Sequence, residues 1–143
     1  MSNIEIVNEL YAAYRRGDLQ AILTALTDDV RWESEGPSEI PFMGIRNGVN
    51  ETTGFFEGLA RDWSDPRLET NQFIASGDEV SVFGRYEATN RQTGKRINVP
   101  IAHYWKIRDG KVARYMGLTD TGAFLEAMRQ SNERSGSAGA SGR

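Results

Sequence analysis

The stretch INVPIAHYWKI, residues 97–107, decides the fold of this chain of 143 residues. Every second position in it carries a large apolar side chain or the only histidine of the chain, and the positions between are mostly small or polar. A period of two over eleven residues indicates a β-strand with one buried face. That face carries Ile97, Val99, Ile101, His103, Trp105 and Ile107.

The next strand is KVARYMGLT, residues 111–119, and it follows the turn RDG at 108–110. A three-residue RDG loop would pair Ile107 with Lys111 and place His103 opposite Tyr115. A tight DG turn would instead place His103 opposite Met116 and move every later side chain to the other face of the sheet. We favour the three-residue loop and leave the tight turn as the alternative.

Further strands are predicted upstream of this hairpin. The segment VRWES, 30–34, alternates in the same way, and the segments 68–75 and 79–89 are joined by the short turn SGD. Consecutive strands joined by short turns form an antiparallel sheet. The segment GPSEIPFMG, 36–44, has two prolines and two glycines but an apolar centre, so we expect a loop that covers something.

Apolar residues at helical spacing predict helices near the start of the chain. Gly17 ends the first helix, Asp18 caps the second, and the Asp65-Pro66 pair ends the third. A last helix is capped by Asp120 or Thr121. Helices gathered on one face of an antiparallel sheet define an α+β fold. The three N-terminal helices are predicted at 4–14, 19–26 and 47–63.

Composition limits the function classes. The net charge is -3, which makes nucleic acid a poor partner, and no apolar run approaches the length of a membrane span. The chain has no cysteine and one histidine, so a zinc or other metal site is not expected. The N-terminus has no signal-peptide pattern, and we expect a cytoplasmic protein. Residues 1–133 are predicted to form one domain, and residues 134–143 a flexible Gly/Ser/Ala tail.

Several strings make the chain resemble the nuclear-transport-factor-like superfamily, and within it the SnoaL-like polyketide cyclases and the ketosteroid isomerases. The resemblance covers about residues 4–130. It implies a curved antiparallel (mixed) β-sheet wrapped around the N-terminal helices to form a cone-shaped pocket. Enzymes and binding proteins share this fold. The strings are GDL at 17–19, DDV at 28–30, IPFMG at 40–44, Gly48, FF at 55–56, AHYW at 102–105, DGKV at 109–112 and TDT at 119–121.

The chain departs from the isomerases at each catalytic position. Their catalytic base, an aspartate, falls at Ser34, and their protonated aspartate, an oxyanion donor, falls at His103. Their tyrosine donor on the first helix falls near Leu10, with Tyr11 and Tyr14 close by. No catalytic residue of the isomerases is therefore retained.

His103 and Asp120 are the candidate catalytic residues. An imidazole on an apolar strand face can serve as a general acid or base, although a core histidine satisfied by a neighbour would give the same pattern. Asp120 matches a carboxylate at the strand end in the cyclase-like branch, although an aspartate before a helix is also an ordinary cap. Glu33 and Glu35 are expected to be surface charges, because Trp32 between them points inward.

The aromatic residues are candidate substrate-binding residues, although most could be plain core. The leading hypothesis is a pocket for a small hydrophobic cyclic or carbonyl compound, with a cofactor-independent isomerase or cyclase acting by proton transfer. A binding or dimerisation module is the alternative, and a hydrolase or dehydratase a weaker one. The apolar outer-face residues Phe83 and Tyr104 predict a homodimer. The candidate binding residues are Tyr14, Trp32, Phe56, Trp63, Tyr86, Trp105 and Tyr115.

Overall fold

A computed structural model describes residues 1–130. The predicted tail 134–143 and the last three residues of the predicted domain lie outside this range. No helix among the described residues is long and apolar enough to cross a membrane. The helices are α1 (Asn3–Arg15), α2 (Leu19–Thr24), α3 (Gly48–Asp62) and α4 (Thr121–Met128), and the strands are β1 (Leu26–Ser34), β2 (Gly44–Asn47), β3 (Trp63–Ser76), β4 (Glu79–Asn90), β5 (Arg96–Arg108) and β6 (Lys111–Thr119).

The strands form one six-stranded sheet in the order β2-β1-β6-β5-β4-β3. All neighbours are antiparallel except β1 and β6, which run parallel. The sheet is mixed and open, and α1 packs on β3 and β4 while α3 packs on β1. The α+β class and the wrapping of the sheet around the N-terminal helices are confirmed.

The hairpin between β5 and β6 uses the tight turn, so the favoured three-residue loop is wrong. Asp109 and Gly110 both have positive φ, as a two-residue type I′ turn requires, and Arg108 pairs with Lys111. A bulge next to Lys106 then shifts the register by one residue, and His103 pairs with Gly117. Beyond the bulge, the turn and the bulge together shift the pairing by two residues, so residues 114–119 keep the predicted faces. Before the bulge the shift is one residue, and Val112 pairs with Ile107 on the inner face in place of Lys111.

Capping residues explain where the helices begin. The side chains of Asp18 and Asp120 accept hydrogen bonds from the backbone N–H groups of Ala21 and Ala123, as predicted. The Asp65-Pro66 pair does not end α3, because α3 ends at Asp62 and the pair lies in the irregular first part of β3.

The apolar loop between β1 and β2 covers one end of the core, as expected. Ile40 is fully buried, and Phe42 and Met43 are also buried. The sequence did not predict β2, which follows this loop directly. Glu33 is buried as well, which contradicts its expected place among the surface charges, because Arg31 and Arg114 form ion pairs with its carboxylate at 2.8 and 3.0 Å.

Candidate functional site

A cavity of about 110 Å³ lies between the inner face of the sheet, α1, α3 and the loop 36–43. Its position follows from the period of two in β5, which turns Ile101, His103 and Trp105 toward the helices. No charged side chain lines it among the described residues. Its polar lining residues are Tyr11, Tyr14, Ser34, Tyr86, His103, Trp105, Tyr115 and Thr119.

Six of the seven aromatic residues predicted for substrate binding line this cavity. They are Tyr14, Trp32, Phe56, Tyr86, Trp105 and Tyr115. Trp63 does not line it, because it starts β3 beyond the end of α3 and packs edge-on against Phe124, at 5.2 Å between ring centroids. Trp63 lines a neighbouring surface groove instead.

His103 is joined to α1 by a hydrogen bond. Its Nδ1 lies 2.6 Å from the hydroxyl oxygen of Tyr11, and the indole N–H of Trp105 donates to the same oxygen at 3.0 Å. Tyr11 is buried, with 3% of its surface exposed. The three side chains therefore form a connected polar group inside an apolar cavity.

Burial keeps this group neutral. It lowers the pKa of His103 to about 3, since the imidazolium loses its hydration in the cavity wall. It also raises the pKa of Tyr11 well above its ordinary value, although the N–H of Trp105 partly offsets that rise. At neutral pH the imidazole and the phenol therefore both carry no charge.

The hydrogen bond between Tyr11 and His103 can form in two ways. Either the Tyr11 hydroxyl donates to Nδ1 and Nε2 carries the imidazole proton, or Nδ1–H donates to Tyr11 and the hydroxyl proton is free. In the first arrangement Nε2–H is the free donor. In the second, the hydroxyl is the free donor and Nε2 is an acceptor. Nε2 of His103 can thus change from donor to acceptor without a change in the charge of the pair.

A second pair of tyrosines lies nearly one helical turn further along α1. The hydroxyls of Tyr14 and Tyr86 are 3.1 Å apart, and this hydrogen bond links the helix to β4. Burial is the main cause that raises the pKa of both groups. These hydroxyls therefore act as neutral hydrogen-bonding groups in the cavity wall.

Asp120 is not brought to the cavity. It is exposed, it caps α4, and it is not among the cavity-lining residues. Sequence reasoning missed Tyr11 as a site residue, although it lies three residues from Tyr14 on the same face of α1. Among residues 1–130, no three His, Asp or Glu side chains come together as metal ligands would.

The curved sheet, the helices inside it and the aromatic cavity define an NTF2-like α+β protein. The model of the SnoaL-like domain family matches residues 7–115, and the chain belongs to that family. No curated protein matches the chain.

Three solved structures are similar over nearly their whole length. An NTF2-like protein of unknown function from Burkholderia pseudomallei K96243 is 29% identical, with a TM-score of 0.84 over 90% of this chain and 98% of that one. An NTF2-like protein from Burkholderia thailandensis E264 is 28% identical, with a TM-score of 0.83 over 90% and 98%. TerC, co-crystallised with polyporic acid, is 32% identical, with a TM-score of 0.81 over 87% and 96%.

Proposed function

We propose that the protein binds a small hydrophobic cyclic or carbonyl compound in this cavity and catalyses proton transfer on it without a cofactor, as an isomerase or cyclase. The observation that carries the proposal is the hydrogen bond of 2.6 Å between Tyr11 and His103 in a mostly apolar cavity. A pocket of apolar walls with a few convergent polar groups is the usual form of a small-molecule site.

The neutral pair suits a concerted relay. For a ketone, Nε2 of His103 takes a proton from the carbon next to the carbonyl, and the electrons of that C–H bond form the C=C bond of an enol. The carbonyl oxygen takes the hydroxyl proton of Tyr11, and the Tyr11 oxygen takes the proton from Nδ1. No net charge forms on the protein, which matters because burial disfavours the imidazolium and the phenolate alike.

The similarity to TerC adds support for a small-molecule ligand. TerC is 32% identical and was co-crystallised with polyporic acid. The cavity of this chain also contains Trp32 and Tyr115, whose rings stack with centroids 4.0 Å apart. Such aromatic walls favour a flat ring system over a flexible chain.

Deuterium exchange tests the catalytic part of this proposal. The protein is incubated with 1-tetralone in D₂O, and deuterium at the carbon next to the carbonyl is followed by NMR. We expect exchange faster than in buffer, and we expect His103→Gln and Tyr11→Phe each to lower that rate about 10²-fold or more. Tyr104→Phe, the neighbouring residue on the outer face, is the matched control and should exchange like wild type.

A binding module is the second candidate, and the low pKa of His103 favours it, because such an imidazole is a weak base. Under this alternative, calorimetry shows that 1-tetralone binds, but exchange does not exceed the rate in buffer. Exchange that is retained in both His103→Gln and Tyr11→Phe would also contradict the relay.

We further propose a homodimer formed by the outer face of the sheet. This face is unusually apolar, since Ile45, Ile74, Phe83 and Leu118 are between 43% and 53% exposed. Tyr104, in register with Met116, lies between them. Sedimentation equilibrium at tens of micromolar should give twice the mass of the chain, and Phe83→Lys should give the mass of one chain. A monomer in the wild type would refute this proposal.

We also propose a cytoplasmic location. The chain has no cysteine, so nothing in it depends on an oxidising compartment. Fractionation of the source cells should find the protein with the cytoplasmic markers, and recovery with the membrane or secreted fraction would contradict this.

A further inference from the structure

Ser34, Gly117 and His103 lie side by side across three neighbouring strands. Ser34 of β1 pairs with Gly117 of β6, and Gly117 pairs with His103 of β5. All three line the cavity. Since neighbouring strands are about 4.8 Å apart, the Cα atoms of Ser34 and His103 are about 10 Å apart. Glycine adds no side chain between them.

The hydroxyl of Tyr115 occupies the space above Gly117. A Cβ atom at position 117 would lie 2.3 Å from the hydroxyl oxygen of Tyr115. The ring of Tyr115 is held there by Trp32, with centroids 4.0 Å apart, and its centroid is 5.1 Å from that of His103. The Tyr115 hydroxyl therefore lies between Ser34 and His103.

The hydroxyls of Ser34 and Tyr115 have no hydrogen-bond partner in residues 1–130, although the two residues are only 8% and 5% exposed. Both residues line the cavity, and both hydroxyls are accessible from it. The indole nitrogen of Trp32 differs, because it is enclosed by protein and has no hydrogen-bond partner among the described residues. Nearly all buried polar groups in proteins are hydrogen-bonded. Two hydroxyls that face the cavity without a partner in the described part of the chain, close to the Tyr11–His103 pair, mark a place where a bound molecule can supply the partners.

We infer that Ser34 and Tyr115 form a second polar subsite, and that the ligand is a flat cyclic compound with two oxygen atoms on opposite sides of one ring. One oxygen contacts the Tyr11–His103 pair, and the other lies between Ser34 and Tyr115. This inference rests on the proposed small-molecule function of the cavity. Ser34 and His103 lie two strands apart, so one molecule can contact both ends only if its two oxygen atoms lie on different sides of its ring.

Calorimetry with two probes of similar shape tests this subsite. 1,4-Naphthoquinone has two ring oxygens and 1-tetralone has one, and the chain has no cysteine that could add to the quinone. The wild type should bind the quinone about tenfold more tightly or better. The double variant Ser34→Ala/Tyr115→Phe should lose about tenfold or more in affinity for the quinone and change less than about twofold toward 1-tetralone.

Thermal melting of the two single variants gives a second measurement. Because neither hydroxyl has a protein partner, Ser34→Ala and Tyr115→Phe should melt no lower than wild type. Tyr104→Phe on the outer face is the comparison for a hydroxyl that does have a partner, since it donates to the Glu79 carboxylate. A fall in melting temperature of both variants would show that the hydroxyls are satisfied inside the protein, and it would overturn the inference.

Three binding results would also overturn it: an equal loss for both probes, an unchanged quinone affinity in the double variant, or no quinone binding by the wild type. A different result would refute the catalytic proposal while leaving the second subsite in place. If the quinone preference is present and depends on Ser34 and Tyr115, while 1-tetralone gains no deuterium, the second subsite stands and the proton relay does not.

Discussion

Lowering the pH from 6.5 to 5 should destabilise the protein through His103, and this can be measured cleanly because the chain has a single histidine. Burial lowers the pKa of His103 to about 3 in the folded protein, against 6.5 for a free side chain. Between these values the unfolded chain binds one proton more than the folded chain. The contribution of His103 to stability is therefore complete above pH 6.5 and is lost as the pH falls toward 3.

The size of the effect follows from the two pKa values. Integrating the difference in bound protons gives a loss of about 1–2 kcal/mol in the free energy of unfolding between pH 6.5 and pH 5. Carboxylates with lowered pKa, such as Glu33 and Asp29, add their own losses only near and below their free values of 4.5 and 3.8. The interval above pH 5 therefore isolates the histidine.

Urea unfolding at half-unit steps of pH measures this directly. The wild type should lose stability over the interval, and His103→Gln should give a nearly flat profile. NMR of the one imidazole should show no protonation of the folded protein above pH 4. A titration with a pKa near 6.5 would refute the burial argument and, with it, the neutral relay proposed for Tyr11 and His103.

Two further substitutions test the packing of the site. Tyr11→Phe removes a hydroxyl that accepts from Trp105 and pairs with His103. The free energy of unfolding should therefore fall by about 2–4 kcal/mol and the melting temperature by about 6–12 °C. A fall below about 0.5 kcal/mol would mean that cavity water replaces the hydroxyl. Gly117→Ala places a Cβ atom 2.3 Å from the Tyr115 hydroxyl, and because the Tyr115 ring is stacked in place, urea unfolding should show a loss of about 1–3 kcal/mol. An unchanged stability would show that Tyr115 moves freely.

Much of the architecture could be predicted because it depends on local patterns. The alternation in residues 97–107 placed His103 on the inner face of β5, and capping chemistry placed the starts of α2 and α4 at Asp18 and Asp120. These features depend on neighbours within four residues. The order of the elements followed from the same patterns, and the family resemblance added the cone.

The details of the site depend on contacts that are distant in the sequence. The bulge beside Lys106 shifts β6 by one residue, and nothing in the residues 108–119 marks it. Tyr11 and Tyr14 share a face of α1, and only the depth of that helix in the cone decides that Tyr11 reaches His103. Glu33 alternates like a surface residue, and it is buried because Arg31 and Arg114 close over it from two strands.

The described lining of the cavity is electrically neutral. At the positions where the isomerases have carboxyl groups, this chain has Ser34 and His103, and the described lining contains no charged side chain. An ionised ligand would therefore bring an unpaired charge against mostly apolar walls, which is costly. Neutral ligands, and reactions that move protons without separating charge, suit such a cavity. Under our proposals, the hydroxyls of Ser34 and Tyr115 bind a second oxygen of the ligand, while in the Tyr11–His103 pair the imidazole Nε2 can change from donor to acceptor without a change of charge.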